Sequence, residues 1–137
     1  MGNRGSVVLV EENKVALIKR VRDGSVYYVF PGGGIQQHET PEAAAKREAF
    51  EELGVQVKIQ ELFATIEYEG NQYFFMAKRT GGTFGTGLGE EYTDLNRHRG
   101  TYEPVWVQLR EAHKLNIKPR EVAAKLQQLA ANEQLDT

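Results

Sequence analysis

The chain has 137 residues, of which 40% are hydrophobic, and this is enough for one domain with a buried core. Its 17 basic and 19 acidic residues give a net charge of -2, which argues against a broad basic surface for nucleic acid. Cysteine is absent, which excludes disulfides, thiolate metal sites and a cysteine nucleophile. We find no apolar run of about 18 residues and no secretory signal, so we expect a cytoplasmic protein without a membrane partner.

Three short apolar runs at the start of the chain have the β-branched and aromatic content of strands. Turn residues at 11–14 and 23–25 separate them, so that the first two runs form a hairpin. The residues before the first run are interpreted as a polar lead-in. The predicted strands are residues 7–10, 15–21 and 26–30.

The central stretch, residues 33–55, has the pattern of a glycine-rich loop followed by a helix. Thr40 suits the N-cap, Pro41 the first helical position and Gly54 the C-terminal stop. Alanines favour the helix and add little bulk, so it can approach a sheet closely. Its narrow apolar stripe is predicted to consist of Ala45, Ala49 and Leu53.

The second half of the chain alternates strand signals with one long loop. Residues 80–100 are rich in glycine and have no periodicity, and a loop of this length is either functional or disordered. An amphipathic helix is predicted over residues 119–131. The further predicted strands are residues 62–66, 72–78 and 105–107. The order of strands, helix, strands and helix predicts a single α+β layered domain over residues 1–137.

Three glutamates in the second half of the central helix lie on one helical face. Glu48, Glu51 and Glu52 are three and four residues apart, which places their carboxylates within roughly 100° of arc. Like charges at this spacing repel each other. Periodicity alone leaves two explanations: a bound cation, or a solvated face on which Arg47 pairs with Glu51.

The residues around these glutamates resemble the Nudix box in their register. That pattern fixes glycines, glutamates and one arginine across residues 33–55 of this chain. The single departure is Ala49, where the pattern has a bulky aliphatic residue at a packing position. The residues in register are Gly33, Glu39, Arg47, Glu48, Glu51, Glu52, Gly54 and Val55.

The resemblance implies a Nudix-type α/β/α sandwich with a mixed sheet and a catalytic loop and helix. It also implies hydrolysis of a nucleoside diphosphate linked to another moiety, with Mg²⁺ or Mn²⁺ as cofactor. Glu48, Glu51 and Glu52 would hold the metal, together with the backbone carbonyl of Gly32. Glu39 and Arg47 would orient that cluster, although they could also form a simple surface ion pair. The catalytic residues implied by the box are Glu39, Arg47, Glu51 and Glu52.

Carboxylates on a rigid helix suit this chemistry. Mg²⁺ is a hard cation that prefers oxygen ligands, and a bound cation would relieve the mutual repulsion of the glutamates. It would also polarise a phosphate and lower the pKa of a bound water. The glycines at 32–34 let the backbone come close to a metal and to phosphate, because they have no Cβ.

The sequence indicates several candidates for the catalytic base and for the substrate contacts. The base could come from the box, from Glu90 or Glu91 in the long loop, or from Glu103 at the predicted start of a strand. Arg20, Arg22 and residues 97–99 are candidate phosphate contacts. The aromatic residues that could stack on a base, or instead pack in the core, are Tyr27, Tyr28, Phe30, Tyr73 and Phe84.

Within the family, we expect a nucleoside triphosphate pyrophosphohydrolase whose partner is a nucleotide, in a possible homodimer. A dinucleoside polyphosphate or nucleotide-sugar hydrolase is an alternative, and Tyr73 lies near a tyrosine of the former class. The proline that marks ADP-ribose hydrolases is absent, since Gly70 and Asn71 stand there. A non-catalytic nucleotide-sensing module is the alternative of another class, but such modules commonly lose box glutamates that are retained here.

Overall fold

The computed structural model describes residues 2–87 and 100–132. In this part of the chain a mixed sheet is flanked by helices. The elements are β1 (Arg4–Glu11), β2 (Lys14–Arg22), β3 (Ser25–Val29), β4 (Gly32–Gly34), α1 (Pro41–Leu53), β5 (Val55–Glu67), β6 (Asn71–Gly82), β7 (Thr101–Gln108), a 3₁₀ helix (Leu109–Lys114), β8 (Ile117–Lys118) and α2 (Arg120–Ala131).

The sheet follows the order β5-β6-β1-β2-β3-β8, with β4 added beside β1 and β7 beside β2. The pairs β1–β6 and β3–β8 are parallel, and the other pairs are antiparallel. Strand β1 changes partner along its length, because residues 4–6 pair with β4 whereas Val10 and Glu11 pair with β2. The sheet therefore divides near the start of β1, and a cleft can form where its two parts separate.

One helix covers each face of this sheet. Alternate residues of β1 point to opposite faces. Val7 and Leu9 belong to a buried cluster with Ala45, Ala49 and Leu53 of α1, which we call the α1 cluster. Val8 belongs to a second buried cluster with Val122 and Leu126 of α2, which we call the α2 cluster. Val122 and Leu126 of α2 are buried against the second face. The predicted α+β class and the α/β/α sandwich with a mixed sheet are confirmed.

Helix α1 begins and ends where its sequence predicts. The Thr40 hydroxyl accepts a hydrogen bond of 3.0 Å from the Ala43 amide, and Gly54 ends the helix with a φ of 81°. The alanine stripe is fully buried with Leu53. A Cβ at Gly5 of β1 would lie 3.3 Å from the Cβ of Ala44, so glycine and alanine together allow the helix to approach the sheet closely.

Replacing Thr40 with Ala should lower the free energy of unfolding by about 1 kcal/mol, because the Ala43 amide loses its acceptor. The midpoint of thermal unfolding should then fall by about 3 °C. Thr40→Ser is the matched control, since it retains the hydroxyl and should stay close to the wild type in circular dichroism melts. Equal losses in both variants would show that the cap does not stabilise the helix.

Several boundaries differ from those expected of the sequence. The predicted glycine-rich loop was wrong at residues 33 and 34, which form β4 together with Gly32 because the glycine backbone can pair closely with β1. Strand β5 is longer than residues 62–66, and register shifts against β6 interrupt the alternation that marks a strand. Residues 80–82 belong to β6, and residues 88–99 of the predicted loop lie outside the described residues.

The polar lead-in was also wrong, since β1 already begins at Arg4. The predicted amphipathic helix begins at Arg120, with Pro119 as its N-cap. None of the described helices has the length and apolar character needed to cross a membrane.

Candidate active site

Two of the three clustered glutamates are buried between α1 and β4. Glu48 is 9% exposed and Glu52 is 6% exposed. Glu52 accepts a hydrogen bond of 2.7 Å from the backbone amide of Gly32. A Cβ at Gly33 would overlap the Glu48 carboxylate, so glycine is needed for the strand to pass this close to the helix. The packing of α1 on β1 thus fixes both carboxylates against the β4 backbone.

Arg47 connects the loop before α1 to the glutamates of the helix. Its Nε and Nη2 donate to the two carboxylate oxygens of Glu39 at 2.7 and 3.0 Å, in a bidentate pair. Its Nη1 donates to Glu48 at 2.8 Å and to Glu51 at 3.1 Å. Its Nη2 also donates to the carbonyl of Gly34 at 2.9 Å. One guanidinium therefore holds three carboxylates and the end of β4 in a fixed relation.

The ionisation of this network follows from its hydrogen bonds. The Arg47 side chain, followed by the amide of Gln36, lowers the pKa of Glu39 below its ordinary value. The hydrogen bond from Arg47 to Glu39 raises the pKa of the guanidinium, burial opposes this, and Glu48 adds to the increase. Both partners of the bidentate pair are thus charged at neutral pH.

The stability of the protein should depend on pH through Glu39. Because the pKa of Glu39 is lowered from 4.5 in the folded state, the pair stabilises the fold above that pH and is lost as pH falls through the lowered value. The difference in melting temperature between the wild type and Glu39→Gln should therefore be constant near neutral pH and shrink below pH 4.5. Melts from about pH 7 to about pH 3 measure this difference, and an unchanged difference at low pH would contradict the assignment.

Glu51 differs from its two neighbours, because its side chain is 43% exposed while it pairs with Arg47. Within residues 2–87 and 100–132, no three acidic, histidine or cysteine side chains converge into a ready-made metal cage. The oxygen-only donor set, the buried carboxylates and the glycine backbone beside them nevertheless fit a hard divalent cation. Such a cation would compete with Arg47 for the oxygens of Glu48 and Glu51.

The comparisons with known proteins agree with this geometry. The family model described as NUDIX domain matches residues 2–126 of the chain. The chain belongs to the Nudix family. Nudix hydrolases generally use divalent metal ions, and Nudix enzymes act on nucleotide substrates.

Two curated relatives of this Nudix chain match it over part of its length. An 8-oxo-dGTP diphosphatase of Escherichia coli (strain K12) is 37% identical over 65 residues, which is 46% of this chain and 50% of that protein. An RNA pyrophosphohydrolase of Actinobacillus succinogenes is 42% identical over 64 residues, covering 46% of this chain and 32% of that protein. The matches thus span half or less of the relatives' own lengths.

A solved structure shows the same fold over almost the whole Nudix chain. The NUDIX hydrolase from Nitrosomonas europaea superposes with a TM-score of 0.74 at 15% sequence identity. The match covers 99% of this chain and 96% of that one. At this identity the likeness concerns the fold alone.

Of the candidate catalytic bases outside the Nudix box, Glu103 lies in the part of the chain that the structure describes. Glu103 lies within β7, opposite Lys19 of β2, and not at the start of the strand as expected. In the part of the chain that the structure describes, Glu103 makes no hydrogen bond or ion pair to α1. Glu90 and Glu91 lie outside the described residues, as do residues 97–99.

The candidate substrate-binding side chains lie on several strands. The guanidinium of Arg20 lies 3.6 Å from the ring centre of Tyr102 and 5.6 Å from that of Tyr27, and its Nε donates to the carbonyl of Thr101. Arg22 is exposed beside Asp23 at 3.9 Å. Tyr73 pairs with Gly5 in the sheet and packs against the α1 cluster. These roles in substrate binding remain predictions.

Most of the remaining candidate aromatic residues pack against other side chains. Phe30 is a core residue, 5% exposed, and meets Phe74 edge to face at 5.7 Å. Tyr28 packs against the α2 cluster. Phe84 stacks on Trp106 at 4.7 Å between ring centres.

The sequence interpretation missed Arg4, whose Nη2 donates to the carbonyl of Gly32 at 3.3 Å. It also missed Ser6, which lies so close to Gly32 that any side chain there would overlap it. Neither residue belongs to the Nudix box. The signal that could have revealed them is the pairing of β4 with β1, which joins residues far apart in the chain.

Proposed function

We propose that the protein is a Mg²⁺-dependent pyrophosphohydrolase that acts on a nucleoside triphosphate or a related nucleotide. The observation that carries this proposal is the pair of buried carboxylates, Glu48 and Glu52, held against the glycine backbone of β4. Burial of carboxylates is costly unless positive charge offsets theirs; Arg47 supplies one such charge to Glu48, and a divalent cation would add to it. Membership in the Nudix family, and relatives named as a diphosphatase and a pyrophosphohydrolase, support the enzyme class.

Glu48, Glu51 and Glu52 would hold the cation, with the carbonyl of Gly32 as a further ligand. When bound, Mg²⁺ or Mn²⁺ supplies Lewis-acid polarisation of the phosphate and a lower pKa for an attacking water. The four groups are all oxygen donors from α1 and β4, and oxygen is the ligand type that these cations prefer. Their placement on regular elements favours a site whose shape changes little between turnovers.

Glu39 and Arg47 would position the cluster. The bidentate pair locks the guanidinium, and the guanidinium in turn orients Glu48 and Glu51. The hydrogen bond from the Gly32 amide holds the Glu52 carboxylate against β4. Pre-orientation of this kind is how phosphoryl transfer is accelerated, since most of the rate comes from positioning and electrostatics.

The part of the substrate beyond its phosphates is proposed only as a class of compound. A nucleoside triphosphate is favoured by the relative named 8-oxo-dGTP diphosphatase, and a dinucleoside polyphosphate or a nucleotide sugar is the alternative. Glu103, Glu90 and Glu91 stay candidates for the base. A cytoplasmic location and a homodimer stay predictions as well.

The test is a panel of nucleoside triphosphates, dinucleoside polyphosphates and nucleotide sugars, each incubated with Mg²⁺. Products separated by chromatography identify the bond that is cleaved, and coupled pyrophosphatase converts released pyrophosphate to phosphate for rates. The proposal expects turnover of at least one triphosphate to its monophosphate and pyrophosphate. Tight calorimetric binding without turnover of any compound would overturn it in favour of a nucleotide-sensing module.

A further inference from the structure

A cleft opens where the sheet divides at the start of β1. It has a volume of about 470 Å³. Its lining includes the aromatic residues Phe30 and Phe74 and charged residues of both signs, which are Arg4, Lys118, Glu67 and Glu121. A concave, mostly apolar space with a few polar groups is typical of a small-molecule site. The cleft adjoins the candidate active site, because Arg4 lines the cleft and donates to the carbonyl of Gly32.

The hydrogen bond from Arg4 to Gly32 is a weak one. At 3.3 Å it is longer than the usual range for an N–H donor, and its acceptor is a neutral carbonyl. Within residues 2–87 and 100–132 we find no carboxylate partner for this guanidinium, and its side chain is exposed. Charge-assisted hydrogen bonds to an anionic acceptor are about twice as strong, so an anionic ligand in the cleft would draw the guanidinium away.

The carbonyl of Gly32, in contrast, is held in place. The amide of Gly32 donates to Glu52 on the α1 side, and β4 pairs with β1 through residues 32–34. Ser6 lies against Gly32 on the β1 side, so closely that a Cβ at Gly32 would overlap it. A change in this contact must therefore come from movement of the arginine side chain.

We propose that Arg4 is a positioning residue whose guanidinium binds the Gly32 carbonyl until a nucleotide enters the cleft. The nucleotide then binds the guanidinium in place of that carbonyl. This inference rests on the proposed function, because it uses the Gly32 carbonyl as a cation ligand. Two cations cannot share one carbonyl oxygen without strong repulsion. Departure of Arg4 thus makes that oxygen a better ligand for a divalent cation, and nucleotide binding and cation binding favour each other.

The test measures binding of Mn²⁺ alone to the nucleotide-free protein, by the electron paramagnetic resonance signal of free Mn²⁺. Arg4→Met should bind Mn²⁺ about tenfold more tightly than the wild type, since it removes a competing hydrogen bond from a charged donor. Lys118→Met is the matched control, because it removes one positive charge from the same cleft without a contact to Gly32. Its Mn²⁺ affinity should stay within about twofold of the wild type.

A second readout separates positioning from a purely structural role. With a nucleotide substrate, Arg4→Met should raise KM about tenfold without a matching fall in kcat, since the guanidinium binds the nucleotide in the wild type. Arg4→Gln serves as a second variant if thermal melts show that the Met variant is not folded.

The Mn²⁺ affinities and the nucleotide assay test the role of Arg4 and the proposed function separately. If Arg4→Met and Lys118→Met change Mn²⁺ affinity equally, or if neither changes it, the role of Arg4 is overturned, and this holds even where the wild type hydrolyses nucleotides. If Arg4→Met alone binds Mn²⁺ more tightly but no nucleotide is hydrolysed, the role of Arg4 stands and the proposed function fails. Absence of Mn²⁺ binding in all three proteins overturns the role of Arg4.

Discussion

Replacing Glu52 with Gln should lower kcat by at least about 100-fold, which is about 3 kcal/mol of transition-state stabilisation. The amide oxygen of Gln can still accept the hydrogen bond from the Gly32 amide, so the side chain keeps its place. What is lost is one of the two buried negative charges that would hold the cation. The effect should therefore appear in kcat and in the Mg²⁺ concentration needed for activity, with little change in fold.

The matched control for this variant is Glu42→Gln, the same chemical change at an exposed position in the first turn of α1. Its rate should stay within about twofold of the wild type, since exposed substitutions away from a site have small effects. Rates are compared at saturating nucleotide, and melting curves confirm that both variants are folded. An unchanged kcat in Glu52→Gln would show that the assigned metal role of Glu52 is wrong.

Replacing Arg47 with Lys should lower kcat about 10- to 100-fold, because residues that orient metal ligands typically have effects of this size. The ammonium keeps the charge, but it cannot reach Glu39 in a bidentate fashion while it also contacts Glu48 and Glu51. The lost charge-assisted hydrogen bonds should also lower the free energy of unfolding by about 2 kcal/mol.

Arg79→Lys is the matched control for Arg47→Lys. Arg79 forms an ion pair of 2.9 Å with Glu11 on the sheet surface, and such a pair contributes about 0.5 kcal/mol. Urea unfolding and steady-state kinetics of the two variants separate a general effect of arginine loss from the specific one. The orienting role fails if Arg47→Lys retains full kcat, even where its stability falls.

The local structure of α1 could be predicted because its signals are local. The hydroxyl of Thr40, the fixed φ of Pro41 and the positive φ of Gly54 each act within one turn of the helix. The same holds for the burial of the alanine stripe, which follows from a period of 3.6 residues. The fold class and the position of α1 could therefore be predicted from the sequence.

The glutamate face of α1 could be predicted only in part. Helix periodicity left a solvated face and a cation site as alternatives, and the structure contains features of both. Glu51 is half exposed and pairs with Arg47, as the solvated alternative expects. Glu48 and Glu52 are buried against β4, which periodicity cannot show because it depends on the neighbouring strand.

Contacts between distant parts of the chain were not predictable. The strand β4 exists because three glycines pair with residues 4–6 of β1, and glycine runs by themselves indicate loops. Arg4 approaches Gly32 only through that pairing. Only part of strand β5 was predicted, because its register shifts against β6 disturb the period of two on which strand prediction depends.

A divalent cation at the carboxylates beside β4 is central to the proposed chemistry, and removal of divalent cations tests its role most directly. The wild type is dialysed against EDTA, and hydrolysis of the best nucleotide substrate is followed as Mg²⁺ is added back. We expect a rate close to background without Mg²⁺ and a saturable return to full activity as Mg²⁺ is added. An undiminished rate in excess EDTA would contradict it.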